Sequence, residues 1–228
     1  MRVTFKSGGT KDGQPTQAYL AVPKSGSGPG ILVFQEWWGL VPHIERLCDR
    51  LAEVGFTAMA PDMYSGRTTT NPDEAGRLMM ALEVPKVAAD VKGAIDFLQH
   101  HKACASAKVG VTGFCLGGQL ALYAACTYPT KIAACADFYG VHPNIQPDVT
   151  KLRAPVLGIF AEKDGFVNAQ VVGDLAAKLT KAKKSFEFKT YEGVSHAFMN
   201  ETRKDVYDAE AARDAWNRAV DFFTAHVK

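Results

Sequence analysis

Residues Lys108 to Ala124, KVGVTGFCLGGQLALYA, restrict the fold of this chain more than any other stretch. Val109 and Val111 among glycines read as a short buried strand, Gly113 to Gly117 as a turn, and Gln119 onward as a helix rich in Ala and Leu. Small residues at 113 and 117 let the turn be sharp and let the new helix close on the strand. The side chain between them, Cys115, is then held out above the sheet edge with a helix N-terminus beneath it. That is the layout of a nucleophile elbow, with a thiol where a hydroxyl is more usual. A tight turn around a buried thiol is the competing reading of the same five residues.

The rest of the chain supplies a sheet for that elbow. Residues 3–22 read as an antiparallel hairpin turning around Gly8 to Gln14, with a strand at Thr16 to Val22. Gly30–Glu36 is a continuous apolar run of the kind found in strands buried on both faces, and Phe56–Pro61, Ile132–Tyr139, Pro155–Phe160 and Ser185–Tyr191 read as further strands. Helices are expected at Pro42–Val54, from an Asn71 cap to a break near Pro85, at Lys86–His100, at Asn168–Lys181 and at Asp205–Val227. Strands alternating with helices imply a mostly parallel, twisted sheet with helices on both faces. With no repeat and no low-complexity linker, residues 1–228 are expected to form one α/β domain.

Composition excludes several classes. The chain has 26 basic and 24 acidic residues spread along it, a net charge of +2, which leaves no nucleic-acid footprint and no polybasic membrane patch. The N-terminus MRVTFKSGG lacks a signal-peptide core, and no apolar run is long enough to span a bilayer. A cytoplasmic location and a monomer rather than a homodimer are expected. Five cysteines with no CxxC pair argue against a disulfide framework or a zinc site. Cys48, Cys126 and Cys135 read as small buried hydrophobes, and Cys104 as a loop residue.

In a doubly wound sheet the ligand site lies at the carboxyl ends of the strands. Four reactive side chains fall there: Glu36, Cys115, Asp164 and His196. Cys, Asp and His occur in the order in which α/β-hydrolases supply nucleophile, acid and base. Lys163-Asp164-Gly165 alone reads as a turn, and His196 alone as a surface histidine; together, in order and at strand ends, they read as a triad. His43 starts a helix, His100 and His101 end one, and His226 is near the chain end, so His142 is the one rival base. In the triad reading His196 takes the Cys115 proton or holds the thiolate as an ion pair, Asp164 fixes the tautomer of His196, and the thiolate attacks an acyl carbonyl. The backbone N–H groups of Leu116 and Trp37 are the natural oxyanion donors, and no metal or organic cofactor is required.

Gln35-Glu36 before a bulky pair and Gly39, Pro61-Asp62-Met63-Tyr64, Gly113-Phe114-Cys115-Leu116-Gly117-Gly118, Phe138-Tyr139-Gly140, Asp164 and Ser195-His196-Ala197-Phe198 together resemble the dienelactone hydrolase family. The resemblance runs in order over nearly the whole chain. It implies an α/β-hydrolase fold, a Cys115-His196-Asp164 triad opening lactones, and a role for Glu36 in deprotonating the thiol when substrate binds. The chain departs from that family where Asn200 occupies the position of an arginine that holds the substrate carboxylate. Arg203 is a nearby substitute, and Arg77 the nearest candidate for a second family arginine. Trp37, Trp38, Tyr64, Tyr139, Phe198 and Met199 suit an apolar or aromatic ester, with core packing the alternative for the tryptophans. The expected partner is a small ester or lactone. A thioesterase or acyltransferase on the same site, and a non-catalytic thiol sensor, are the rival functions; residues 140–149 are a candidate lid.

Overall fold

The computed structural model describes residues 1–9 and 12–228, so residues 10 and 11 of the expected hairpin turn lie outside the described residues. Eight strands form one sheet: β1 (Arg2–Lys6), β2 (Pro15–Ala21), β3 (Gly30–Phe34), β4 (Thr57–Pro61), β5 (Val109–Phe114), β6 (Ile132–Phe138), β7 (Val156–Ala161) and β8 (Phe186–Tyr191). Their spatial order is β1-β2-β4-β3-β5-β6-β7-β8. The β1–β2 and β2–β4 pairs are antiparallel and all others parallel. This is the α/β-hydrolase fold, with the elbow strand β5 in the middle of the sheet.

Among the described residues six α-helices cover the sheet: α1 (Pro42–Glu53), α2 (Pro72–Met80), α3 (Val84–His100), α4 (Leu116–Thr127), α5 (Ala169–Lys181) and α6 (Ala209–His226). Side chains of successive strand residues point to opposite faces, and β3 shows the consequence. Ile31 and Val33 enter one core with Ile44, Leu47 and Leu51 of α1 and Ala215 and Phe223 of α6. Leu32 and Phe34 enter the other with Val91 and Ile95 of α3 and Leu120 of α4. The alternation explains why the central strands read as unbroken apolar runs: both faces are buried.

Three element boundaries differ from the sequence reading by three residues or more. The elbow helix begins at Leu116 rather than Gln119, because the whole reversal is made at one residue, Cys115. Pro85 sits in the first turn of α3 rather than at a break; α2 has already ended at Met80. Proline is favoured there, since the N–H it lacks has no helical partner. The last helix starts at Ala209, capped by Asp208 at 2.9 Å from Ala211 N–H, because the Asp205 carboxylate is taken by Arg203. Among the described residues no helix is long and apolar enough to cross a membrane.

Candidate active site

The elbow is built by close backbone approach. A Cβ on Gly113 would lie 2.1 Å from the Gly117 carbonyl oxygen, and one on Gly117 would lie 2.2 Å from the Phe34 carbonyl oxygen. Cys115 between them is held at φ 56° and ψ −120°, a conformation that costs a non-glycine residue about 1–3 kcal/mol. Four backbone bonds hold it there: Cys115 N–H to Phe138 O at 3.0 Å, and the Cys115 carbonyl accepting from Gly118 at 3.0 Å, Val141 at 3.2 Å and Gln119 at 3.5 Å. The backbone N–H groups of Leu116 and Trp37, the two groups expected to serve an oxyanion, both bear on the sulfur and favour its ionised form. Burial first, and the charge of Glu36 second, push the thiol up to about 12 against the pull of those two donors, so it is protonated at rest.

His196 follows β8. Its Nδ1 lies 2.6 Å from Asp164 Oδ2, and its Nε2 is buried without a hydrogen-bond partner. The Asp164 side chain is fully buried, and its other oxygen accepts from Phe166 and Val167 N–H at 2.8 and 2.9 Å. Burial pushes the Asp164 carboxyl up, but the His196 ring and the two N–H groups outweigh it and hold it below its ordinary value. An ionised carboxylate on Nδ1 fixes the proton there and leaves Nε2 as the free base. The ring is flanked by Tyr139, centroids 4.9 Å apart, and by Phe166 edge-on at 5.3 Å.

Glu36, just beyond β3, is 1% exposed. Its Oε2 accepts from Asn200 Nδ2 at 2.7 Å, while Oε1 is buried without a partner among the described residues. Burial pushes its carboxyl up to about 7 against the Asn200 hydrogen bond and the charge of Arg203. Glu36, Trp37, Trp38, Cys115, His196 and Arg203 line one cavity of about 430 Å³, with Asp164 behind His196. Met79, Val141, Pro143, Phe166 and Val206 complete a largely apolar wall, and Lys163 stands at it without an ion pair among the described residues.

Other expected wall residues lie elsewhere. Tyr139, Phe198 and Met199 are buried core: Phe198 packs edge-on against Tyr139 at 5.6 Å rather than facing the cavity. Tyr64 is also buried off the wall, its hydroxyl unpartnered. Arg77 is exposed on the outer side of α2, whose Met79 turns inward instead. Arg203 reaches the cavity, but Asp205 takes its fork at 3.0 and 2.5 Å. The rival base His142 has both nitrogens occupied: Nδ1 accepts from Asn144 and Ile145 N–H, and Nε2 donates to Met79 O, all at 3.0 Å. It pins residues 142–145 to α2.

Asn200 was visible in the sequence only as a missing arginine; its contact with Glu36 joins residues 164 positions apart. Lys163 and Phe166 carried no sequence pattern beyond neighbouring Asp164.

The model of the dienelactone hydrolase family matches residues 16–227. A protein of Aquifex pyrophilus named Protein usf is 44% identical over 95% of this chain and 96% of its own length. One of Aquifex aeolicus, provisionally named carboxymethylenebutenolidase, is 41% identical over 96% of both. The crystal structure of a Klebsiella pneumoniae protein, provisionally named a dienelactone hydrolase, superposes with a TM-score of 0.85 at 28% identity over 98% of this chain and 99% of that one. On the family match over nearly its whole length and on these relatives, the chain belongs to the dienelactone hydrolase family.

Proposed function

We propose that this family member hydrolyses small carboxylic esters, lactones among them, through an acyl-enzyme on Cys115, with His196 as base and Asp164 as its partner. The observation that carries the reading is the 2.6 Å Asp164–His196 contact, which leaves Nε2 free in the cavity that also holds Cys115. A thiol pushed up to about 12 needs a base before it can attack. Glu36 and His196 are the two bases on the cavity wall, and a resting thiol that is activated only when substrate arrives is protected from oxidation. Once formed, the thiolate attacks the acyl carbonyl. The carbonyl oxygen then takes the N–H groups of Leu116 and Trp37 as donors, each worth about 3 kcal/mol in comparable sites. The proton taken from the thiol is returned to the leaving oxygen by the base that accepted it, and His196 Nε2 then activates the water that releases the acid.

The cavity suits a small, largely apolar acyl or aryl group. Lactone substrates are favoured by the carboxymethylenebutenolidase name of the Aquifex aeolicus relative. A thiolate is itself easily expelled from the tetrahedral intermediate, so enol, aryl and thioesters, which carry good leaving groups, suit the site better than amides. The test is turnover of p-nitrophenyl acetate and a small lactone panel by wild type, Cys115→Ala and His196→Ala. Losses of at least about 10³-fold in both variants are expected. Turnover that survives both substitutions removes the triad, and a wild type without turnover whose Cys115 is rapidly labelled by iodoacetamide is a thiol sensor instead.

A further inference from the structure

Glu36 is held by a neutral group. Asn200 donates from Nδ2 to Glu36 Oε2 at 2.7 Å, and its own Oδ1 accepts from the backbone N–H of Thr202 at 3.0 Å and from the Thr202 hydroxyl at 2.6 Å. A backbone N–H can only donate, so the amide atom facing it is oxygen and the atom facing Glu36 is the NH₂ group. That orientation has a consequence for the carboxyl. An NH₂ needs an acceptor, and Oε2 accepts whether Glu36 is ionised or neutral. When Glu36 is neutral its proton therefore sits on Oε1, the oxygen with no protein partner.

We infer that Asn200 is a positioning residue which, by occupying Oε2 in both protonation states, makes Oε1 the one oxygen through which Glu36 exchanges a proton with the Cys115 thiol. The inference rests on the proposed role of Cys115 as nucleophile. The step balances simply: the proton leaves Sγ for Oε1, giving thiolate and neutral carboxylic acid, while Asn200 keeps its bond to Oε2 throughout. A cation in place of the amide would hold Glu36 as a fixed anion. The amide stabilises the anion less and leaves the exchange reversible near neutral pH, in keeping with a carboxyl pushed up to about 7. The ionisable groups bearing on Glu36 are Arg203 from the segment after His196, the Cys115 thiol from the elbow and the Tyr139 phenol from the end of β6.

The experiment follows the pH dependence of two quantities from pH 5 to 9: iodoacetamide alkylation of the Cys115 peptide, and kcat/KM for p-nitrophenyl acetate. Wild type should show a limb with its midpoint near 7. Asn200→Ala removes a donor that favours the ionised form, so its midpoint should rise by about one pH unit, with activity recovering at high pH. Thr202→Val, an exposed substitution that frees the amide to turn, should shift it the same way by less. Glu36→Gln should abolish the limb, and adding Asn200→Ala to it should change nothing further. A limb lost in Glu36→Gln but unmoved in Asn200→Ala overturns this inference alone. Should Asn200→Ala fail to fold, an unmoved midpoint in Thr202→Val overturns it instead. A limb that survives Glu36→Gln unchanged overturns the inference and leaves His196 as the base, whereas turnover that survives Cys115→Ala removes the underlying reading and the inference with it.

Discussion

At the residue scale, the chemistry depends on backbone that only glycine permits. Cys115 holds a strained φ of 56° because Gly113 and Gly117 let the strand and helix close around it. Gly117→Ala sets a methyl 2.2 Å from the Phe34 carbonyl, which lies in the rigid strand β3 and cannot move aside. It should destabilise the fold by at least about 2 kcal/mol and remove ester hydrolysis. Gly173→Ala in α5 meets nothing within 4 Å and should instead stabilise by about 0.5–1 kcal/mol. Thermal melts of the two variants check the contrast; similar melts would mean the elbow tolerates a side chain. The same glycines made the elbow legible in the sequence, since their spacing has few other uses. Asp164 and His196 were legible because they follow strands. Asn200 was not, because a hydrogen bond between residues 164 apart leaves no pattern in either segment. Nor were Tyr139 and Phe198 separable from the cavity wall: an aromatic at a strand end looks the same whether it faces the ligand or the core beneath it.

At the element scale, helix starts were legible where a side chain caps them and obscure where the cap has a rival. Asn71 and Asn168 accept the N–H groups that open α2 and α5. Asp205 looks like a cap and is not one, because Arg203 two residues before it takes the carboxylate and passes the start of α6 to Asp208. The Asn71 cap is measurable. Its side chain accepts from Glu74 N–H at 3.0 Å on an exposed turn, so Asn71→Ala should cost about 1 kcal/mol. In a chain of this length that lowers Tm by about 2–4 °C, while Asn71→Asp should retain most of the stability. Equal melting of Asn71→Ala and wild type would mean that packing of Ala75 and Leu78 alone sets the start of α2.

At the scale of the whole molecule, gathering reactive groups at the carboxyl ends of the strands of one sheet buries charge, and stability should record it. Besides Glu36, the Asp137 carboxyl at the end of β6 is pushed up by burial to about 7, against the pull of the Gly140 N–H, which donates to its Oδ1 at 2.8 Å. Its Oδ2 has no partner. A carboxyl whose folded pKa is raised binds its proton more tightly in the folded state. Its contribution is therefore complete below the unfolded value of 3.8 and is lost as pH rises toward 7. His43, buried in α1 and pushed down to about 4, works in the opposite sense: its contribution is present above 6.5 and is lost as pH falls toward 4. Total stability therefore mixes opposing slopes, and a single isosteric change isolates one of them. Asp137→Asn keeps an acceptor for Gly140 and removes the titration. Between pH 5 and 8 the wild type should lose about 3 kcal/mol more unfolding free energy than this variant does. Urea unfolding of both proteins at the two pH values measures the difference. Parallel losses would mean that Asp137 carries the same charge in the folded and unfolded chain, and that the sheet edge accommodates its ion at no cost.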